Sequence, residues 1–426
     1  MDDKTIIALE IGSSKICGAV GTVSPDGVLT VKIVEEEALI DCVRYGQVSN
    51  IKVAAGSVER ILRKIQNRLG TRRVQCVYVG IGGRSLSSIS AEVERKMPPE
   101  TEVTADLLDR LKLEVRSGVV TEKDILEVVP REYFIDNSRA EHPEGMYCSD
   151  IRMCANLITC RPQLKRNIDL LVDDKLNLRI AGYIIRPLAE ADLVLTTDER
   201  RLGCMMVDFG AETTTVAIYR QGSLQYLATL PLGSRNITRD LTTLNTVEED
   251  AEEIKKSRGS AVIGAENAEM SLSEVNNLVS HRAGEIIANI KEQIKYASLT
   301  PAELPGGVVL VGRGAMLSGF SSRLEKELGM KVRSGSSTSA YVRIGDGRIP
   351  SDAVDIISLL LAASRNPVEC LTPEEKPEPE EINIPEPKHE PAGSKTGTGI
   401  KSFWNRVKKA LDTDEGDDDD FIDDDE

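Results

Sequence analysis

The feature that most constrains the fold is a strand–turn–strand pattern that occurs twice in the chain. In residues 6–20 an apolar run ends at Glu10, a glycine and two serines follow, and a second apolar run returns. Residues 205–219 repeat this order around Asp208, which lies 198 residues after Glu10. Apolar runs of this length predict buried strands, and self-similar halves indicate an internal duplication. The sequence therefore predicts two related α/β lobes.

Each turn has a composition that suits a phosphate-binding loop. Glycine leaves backbone N–H groups open to a ligand, and the neighbouring hydroxyl groups add further donors. The acids at the strand ends, Glu10 and Asp208, could hold Mg²⁺ through water, because Mg²⁺ gives up its own water reluctantly. A single motif of this kind is equally compatible with a plain structural hairpin. Two of them favour lobes that close on one nucleotide.

Two further segments follow in the order of a known superfamily. Residues 307–317 read GVVLVGRGAML, and residues 251–256 read AEEIKK. Together with the paired turns, they resemble the adenosine loop and the purine- and ribose-facing helix of the actin, sugar kinase and DnaK-type chaperone superfamily. The resemblance implies an α/β, two-lobe actin-like (ribonuclease-H-like, duplicated) fold with ATP and Mg²⁺ as cofactors.

Within that superfamily, the chain resembles the family of the bacterial cell-division protein FtsA over roughly residues 4–365. The segments that carry this resemblance are HPEGM at 142–146, RPLAEA at 186–191, LTTDE at 195–199, PLGS at 231–234 and ITRD at 237–240.

The resemblance assigns the candidate site residue by residue. The residues expected around the nucleotide are Gly12, Ser13, Ser14, Lys15, Asp208, Gly210, Thr213, Thr214, Glu252, Lys255, Gly312, Arg313 and Met316. Glu10 and Asp208 would position Mg²⁺ through water, and no residue is expected to act as a catalytic group. Turn geometry or ordinary surface charge is the alternative explanation for each residue taken singly.

Four positions depart from the superfamily pattern. Glu10 replaces the usual aspartate, and Arg313 replaces a glycine of the adenosine loop. Arg186 stands where the connecting helix usually has a carboxylate, and Thr215 stands where the second turn often has another aspartate. Hydrolysis needs a water held in line and charge compensated by Mg²⁺. The departures therefore predict ATP binding with weak or absent hydrolysis.

Composition narrows the possible functions and locations. The chain of 426 residues carries a net charge of −16, which argues against unselective nucleic-acid binding. No apolar run approaches the length of about 18 residues that a membrane span needs, and no signal-peptide pattern opens the chain. The eight cysteines form no Cys-x-x-Cys pair, so a metal site built on them is not expected. These patterns favour a cytoplasmic protein.

The expected domains follow the family. They are lobe one (IA) at 1–83 and 166–203, an inserted subdomain (IC) at 84–165, lobe two (IIA) at 204–236 and 306–365, and a small subdomain (IIB) at 237–305. Local patterns predict helices at 104–116, 121–129, 166–174 and 351–363. The helix at 121–129 rests on a capping-box-like start. Residues 130–143, punctuated by prolines, are expected to form a loop.

The composition changes after residue 365. Residues 366–398 are rich in proline and glutamate, which predicts a disordered linker, and residues 412–426 form an acidic tail. Between them, residues 399–411 have apolar and basic side chains on separate faces, which is typical of a helix lying in a membrane surface. The candidate membrane contacts are Ile400, Lys401, Phe403, Trp404, Val407, Lys408 and Leu411. A helix docked in a protein groove is the alternative.

The family resemblance implies a polymerising scaffold of the bacterial division ring. It would tether FtsZ filaments to the cytoplasmic face of the inner membrane at the septum and recruit later septal proteins. Expected partners are the FtsZ C-terminal peptide, bound within 237–305, further copies of the chain and inner-membrane lipids. A small-molecule kinase and a chaperone-like ATPase of the same fold are the alternatives. The kinase would need a catalytic aspartate, and the chaperone a β-rich substrate domain, and the sequence offers neither.

Overall fold

The repeated hairpin is present in both halves of the structure. The computed structural model describes residues 3–39, 41–70, 72–119, 122–262, 270–337, 342–345 and 353–373. Within it, β1 (Lys4–Ile11) pairs antiparallel with β2 (Lys15–Val23), and β13 (Cys204–Phe209) pairs antiparallel with β14 (Thr214–Arg220). These strands are buried almost throughout, because each lies inside a sheet that is covered on both faces.

Strands and helices are interspersed along the rest of the chain. The other strands are β3 (Leu29–Ala38), β4 (Val43–Arg44), β5 (Gln47–Val48), β6 (Arg72–Val74), β7 (Cys76–Ile81), β8 (Ser87–Glu102), β9 (Asp124–Ile135), β10 (Ser138–Ala140), β11 (Tyr147–Cys160), β12 (Arg179–Ile185), β15 (Ser223–Leu230), β16 (Val308–Val311), β17 (Val332–Ser334), β18 (Val342–Ile344) and β19 (Leu371–Pro373). The helices are α1 (Ile51–Leu69), α2 (Ala105–Gly118), α3 (Pro162–Asp169), α4 (Arg186–Val194), α5 (Thr197–Leu202), α6 (Ser234–Leu241), α7 (Glu248–Arg258), α8 (Met270–Tyr296), α9 (Phe320–Leu328) and α10 (Val354–Ala363).

Two large sheets organise the described part of the chain. The first has the order β12-β7-β1-β2-β3-β18, with β1, β7 and β12 parallel and the β1–β2–β3 meander antiparallel. The second has the order β10-β9-β11-β8-β15-β14-β13-β16-β17. In both, the hairpin strand that ends in an acid pairs with a parallel neighbour, β7 for β1 and β16 for β13. The carboxyl ends of these strands therefore share one edge in each sheet, where ligand sites of open α/β sheets occur.

The closing helix joins the two halves of the chain. The residues of α10 pack into the core of the first sheet, with Ile356, Leu359 and Leu360 fully buried there. Gly80 leaves room for Leu359, since a Cβ at this position would lie 2.7 Å from that side chain. Although the sequence assigns residues 306–365 to lobe two, this helix packs with lobe one, because it is apolar on nearly every side.

The inserted segment is a small β-rich unit with its own core. Strands β8, β11, β9 and β10 pair antiparallel, and α2 covers them with Leu107, Leu111 and Val115. The predicted helix at 104–116 is confirmed by α2, whose N-cap is Thr104.

Two predictions inside this segment are wrong. The helix expected at 121–129 and the loop expected at 130–143 are occupied largely by β9 and β10. Pairing of β9 with both neighbours outweighs the local capping signal, since strand formation depends on tertiary context. Pro130 is accommodated because the register shifts beside it, and prolines in strands occur at such bulges.

Other expectations need smaller changes. The helix predicted at 166–174 begins earlier, as α3, and continues as a π-helical turn at Leu170–Lys175. Residues 237–305 are mainly helical, with α7 and α8 inside the range and α6 overlapping its start. None of the helices among the described residues is long and apolar enough to cross a membrane. The predicted linker, amphipathic helix and acidic tail lie outside the described residues from 374 onward.

Candidate functional site

A cavity of about 310 Å³ lies where the two hairpin turns face each other. The sequence-predicted residues that line it are Glu10, Gly12, Ser13, Ser14, Lys15, Asp208, Gly210, Thr213, Gly312, Arg313 and Met316. Residues from both sheets and from the adenosine-loop segment thus meet in one place. Their roles in ligand binding stay predictions.

The two turns have the same backbone geometry. The N–H of Gly12 donates to the carbonyl of Lys15 at 2.9 Å, and the N–H of Gly210 donates to the carbonyl of Thr213 at the same distance. A Cβ at Gly12 would lie 2.9 Å from Glu10 Oε1, and one at Gly210 would lie 3.0 Å from the Thr213 carbonyl. A side chain at either position would therefore be crowded against its own turn.

Three predicted residues lie outside the cavity lining. The hydroxyl of Thr214 donates to the carbonyl of Leu232 at 2.7 Å. Lys255 Nζ contacts Glu252 Oε2 at 2.6 Å, and both side chains contact Thr238. Burial would raise the pKa of Glu252, but the charge of Lys255 and hydrogen bonds hold it below its usual value. This structure thus shows Glu252 and Lys255 joining α7 to α6.

The adenosine-loop segment approaches the second turn closely. Gly312 has a φ of +86°, and a Cβ there would lie 2.5 Å from both Asp208 Oδ1 and the Phe209 carbonyl. Arg313 reaches across the cleft to Glu36 Oε2 at 2.7 Å, and Met316 is largely exposed. Glycine is needed at 312, whereas Arg313 forms an ion pair between the lobes.

The floor of the cavity holds an arginine among acids. Arg186, the first residue of α4, places Nη2 2.8 Å from Asp208 Oδ2 and Nη1 3.3 Å from Glu10 Oε1. Its Nε lies 3.6 Å from Glu190 Oε1, one helical turn along. Lys15 forms a second ion pair, 3.0 Å from Asp355 Oδ2. We refer to Glu10, Glu190, Asp208 and Asp355 as the cleft acids.

Burial dominates the electrostatics of the cleft acids. Burial and the charge of Asp355 raise the pKa of Glu10 to about 7, against the opposing charges of Arg186 and Lys15. Burial also raises the pKa of Asp208, and it raises that of Glu190 well above its usual value. Among the described residues, one oxygen each of Glu10 and Glu190 is buried without a hydrogen-bond partner.

The residues present do not fit a divalent cation held between Glu10 and Asp208. Carboxylates are the ligands that Mg²⁺ prefers, but a permanently charged guanidinium already contacts both of these groups. A divalent cation there would lie against Arg186. The predicted role of Glu10 and Asp208 in positioning Mg²⁺ thus remains an expectation from the resemblance, and this geometry does not support it.

A second charged group, which sequence reasoning missed, lies in the turn of the second lobe. Glu212 is 1% exposed and accepts the backbone N–H of Tyr45 at 2.6 Å. Arg239 donates to its Oε1 at 2.9 Å, and Arg44 and Arg235 lie at 3.3 and 3.6 Å from the same oxygen. A carboxylate of lobe two is therefore held by groups from both lobes.

The sequence indicated some of the missed residues but not all of them. Glu190 follows Arg186 at the i, i+4 spacing of helical ion pairs, so this contact was predictable. Glu212 is an acid inside a turn expected to bind phosphate, and a carboxylate and a phosphate repel each other. This conflict was visible in the sequence. Asp355 had no local signal, because it reaches the cleft only through the packing of α10.

Two family models match parts of this chain, and relatives match most of it. A family model described as "Cell division protein FtsA" matches residues 205–353, and one described as "SHS2 domain inserted in FTSA" matches residues 83–159. The cell division protein FtsA of Porphyromonas gingivalis is 32% identical over 337 residues, covering 75% of this chain and 70% of that protein. FtsA of Escherichia coli K12 is 28% identical over 368 residues, covering 79% and 84%.

A solved structure supports the architecture independently. A chain of the PilM–PilN type IV pilus biogenesis complex matches with a TM-score of 0.56 at 16% identity, covering 84% of this chain and 96% of that one. A similarity at this identity concerns the fold alone. The predicted two-lobe actin-like fold is confirmed.

Proposed function

Because the chain belongs to the FtsA family of cell-division proteins, we propose that it is an ATP-binding, polymerising scaffold of the division ring. In this role it lies on the cytoplasmic face of the inner membrane at the septum. It tethers FtsZ filaments there through their C-terminal peptide, which binds within residues 237–305, and it recruits later septal proteins.

The observation that carries the nucleotide part of the proposal is the pair of matching turns around one cavity. Gly12 and Gly210 close the two turns with the same hydrogen bond, and both line the space between the lobes. A ligand with several phosphates can be held from both sides by such turns. ATP fits this description. Turnover is expected to be weak or absent.

The nucleotide proposal is tested by thermal unfolding with and without ATP. Gly12→Val should abolish the ATP-dependent rise in melting temperature, because its side chain would meet Glu10 and the Lys15 carbonyl. Gly118→Ala is the control, since a Cβ at that position meets no atom of the described residues within 4 Å. An equal ATP-induced shift in both variants would contradict the site. Melting without ATP checks that Gly12→Val folds.

The membrane part of the proposal rests on residues 399–411, which lie outside the described structure. The side chains of Lys401, Arg406, Lys408 and Lys409 each favour an anionic surface by roughly 1 kcal/mol. Ordering a short helix costs part of this gain, so one copy binds weakly. Polymerised copies present many helices to one surface, which converts weak binding into firm attachment.

Liposome flotation together with purified FtsZ tests this part. The intact protein should float and carry FtsZ with it, whereas Trp404→Glu and a truncation after Ser394 should leave both proteins in the soluble fraction. Phe421→Glu, the same kind of change in the acidic tail, is the matched control and should float normally. Flotation of all four proteins alike would assign the helix to a protein groove instead.

A further inference from the structure

The position of Arg186 gives the cleft a cation of its own. Its guanidinium lies between an acid of the first hairpin, Glu10, and an acid of the second, Asp208, at 3.3 and 2.8 Å. These are the two acids that end the matching strands of the two lobes. Arg186 thus occupies the place from which a single cation contacts both lobes.

Basic side chains already lie among the cleft acids. Four cleft acids face two basic side chains, Arg186 and Lys15. A divalent ion would add two positive charges beside a guanidinium that cannot lose its proton.

The backbone leaves space for this arrangement. A Cβ at Gly82 would lie 3.1 Å from Nε and 3.3 Å from Nη2 of Arg186. The arginine side chain is 15% exposed, and that exposed part lines the cavity. Its guanidinium carries five N–H donors, more than its contacts with Glu10, Asp208 and Glu190 use. It can therefore offer a hydrogen bond to a phosphate oxygen while it holds both acids.

We propose that Arg186 takes the place of the divalent cation in this cleft, so that the protein binds ATP without requiring Mg²⁺. Arginine suits the role because its planar guanidinium pairs with carboxylates and phosphates in a fixed geometry. The inference rests on the proposed nucleotide site and specifies how that site recognises phosphate. Arg186 is thereby the residue that sets the metal requirement.

Calorimetric titration of the full chain with ATP tests the proposal, once with excess Mg²⁺ and once with excess EDTA. The intact protein should bind with dissociation constants that agree within about threefold, since the phosphate contacts come from the protein. Arg186→Gln should weaken binding in EDTA by about tenfold or more, the factor expected for a lost hydrogen bond to a charged group. Mg²⁺ should restore part of that loss, because the freed carboxylates can then face the ion.

The controls distinguish an error about the role of Arg186 from an error about the nucleotide site itself. Arg200→Gln removes a comparable arginine, paired with Asp192 at 2.7 Å outside the cavity, and should bind ATP like the intact protein in both buffers. Arg186→Lys keeps the charge but loses the planar guanidinium, so it should bind ATP in EDTA more weakly than the intact protein and more tightly than Arg186→Gln; it replaces Arg186→Gln if that variant does not fold. Binding that occurs in Mg²⁺ and disappears in EDTA would overturn the role of Arg186 alone. Absence of binding in both buffers would overturn the nucleotide site itself, and this inference with it.

Discussion

At the scale of single residues, the turn of the second lobe depends on one buried carboxylate. Glu212 accepts hydrogen bonds from Tyr45 N–H and Arg239, and two more arginines lie within 3.6 Å of its Oε1. Removing one partner of a buried ion pair costs more than the pair contributes, because the remaining charges lose their compensation. Glu212 thus holds the two lobes together as well as shaping the turn.

Glu212→Gln should lower the free energy of unfolding by about 3 kcal/mol, the low end for breaking a buried pair, because its arginines are partly exposed. Glu292→Gln, which removes an exposed pair with Lys295, should cost less than about 1 kcal/mol. Urea unfolding monitored by circular dichroism measures both. Equal effects of the two changes would show that Glu212 is no more important than a surface charge.

At the scale of elements, the short helix α5 is fixed by its first turn. Thr196 and Glu199 form a capping box, with the Glu199 carboxylate accepting the Thr196 N–H at 2.8 Å. Arg333 of β17 donates twice to the same carboxylate, at 2.6 and 2.7 Å. Burial would raise the pKa of Glu199, but these hydrogen bonds outweigh it and lower the pKa. The helix is therefore joined to the edge of the second sheet.

This arrangement predicts a pH-dependent contribution to stability. Because the pKa of Glu199 is lower in the folded state, its contribution is full above the unfolded pKa of about 4.3 and is lost as the pH falls through the folded value. Glu199→Gln should cost about 2 kcal/mol at pH 7. The difference from the intact protein should shrink toward pH 3. Denaturant unfolding at several pH values measures this, with the exposed Glu94→Gln as control; a difference independent of pH would contradict it.

At the scale of the whole molecule, the inserted subdomain contacts the lobe that does not carry it. Its chain leaves and re-enters next to lobe one, yet β8 pairs with β15 of lobe two at Ser87 and Ala228. The buried Asn156 strengthens this joint, since its Nδ2 donates to the Leu224 carbonyl at 2.7 Å and to that of Gln225 at 3.2 Å. The subdomain is therefore joined to lobe two by backbone pairing and by side-chain hydrogen bonds.

Asn156→Leu should weaken the contact between the subdomain and lobe two, while the leucine side chain still fills the space of the asparagine. Losing the two hydrogen bonds to β15, each worth about 1 kcal/mol, should speed amide exchange in β15 and β8 by about 30-fold. Hydrogen exchange measured by mass spectrometry reports the change peptide by peptide. Ser117→Ala, on the exposed end of α2, should leave these peptides unchanged. Unaltered exchange in both strands would show that the Asn156 side chain does not stabilise the contact between the subdomain and lobe two.

The sequence by itself determined what depends on neighbours along the chain. The two hairpins, their glycine turns and α2 follow from apolar runs, caps and breakers within a few residues, whereas the connecting helix α4 was implied by the family resemblance. The family followed as well, because its motifs are short and occur in a fixed order. Local patterns within residues 121–143 predict a helix and a loop. Strands form in this range because it pairs with β11, and no local pattern predicts that pairing.

Only the tertiary structure decided the chemistry of the cleft. Glu10, Arg186, Asp208 and Asp355 come from four separate elements, and their contacts exist only after α4 and α10 pack against the first sheet. In the sequence, Arg186 is notable because it replaces the carboxylate that is usual at this position. The structure shows it as a cation placed between two acids. Burial then raises the pKa values of Glu10 and Asp208, because desolvation acts through the surroundings in space and not through the neighbours in sequence.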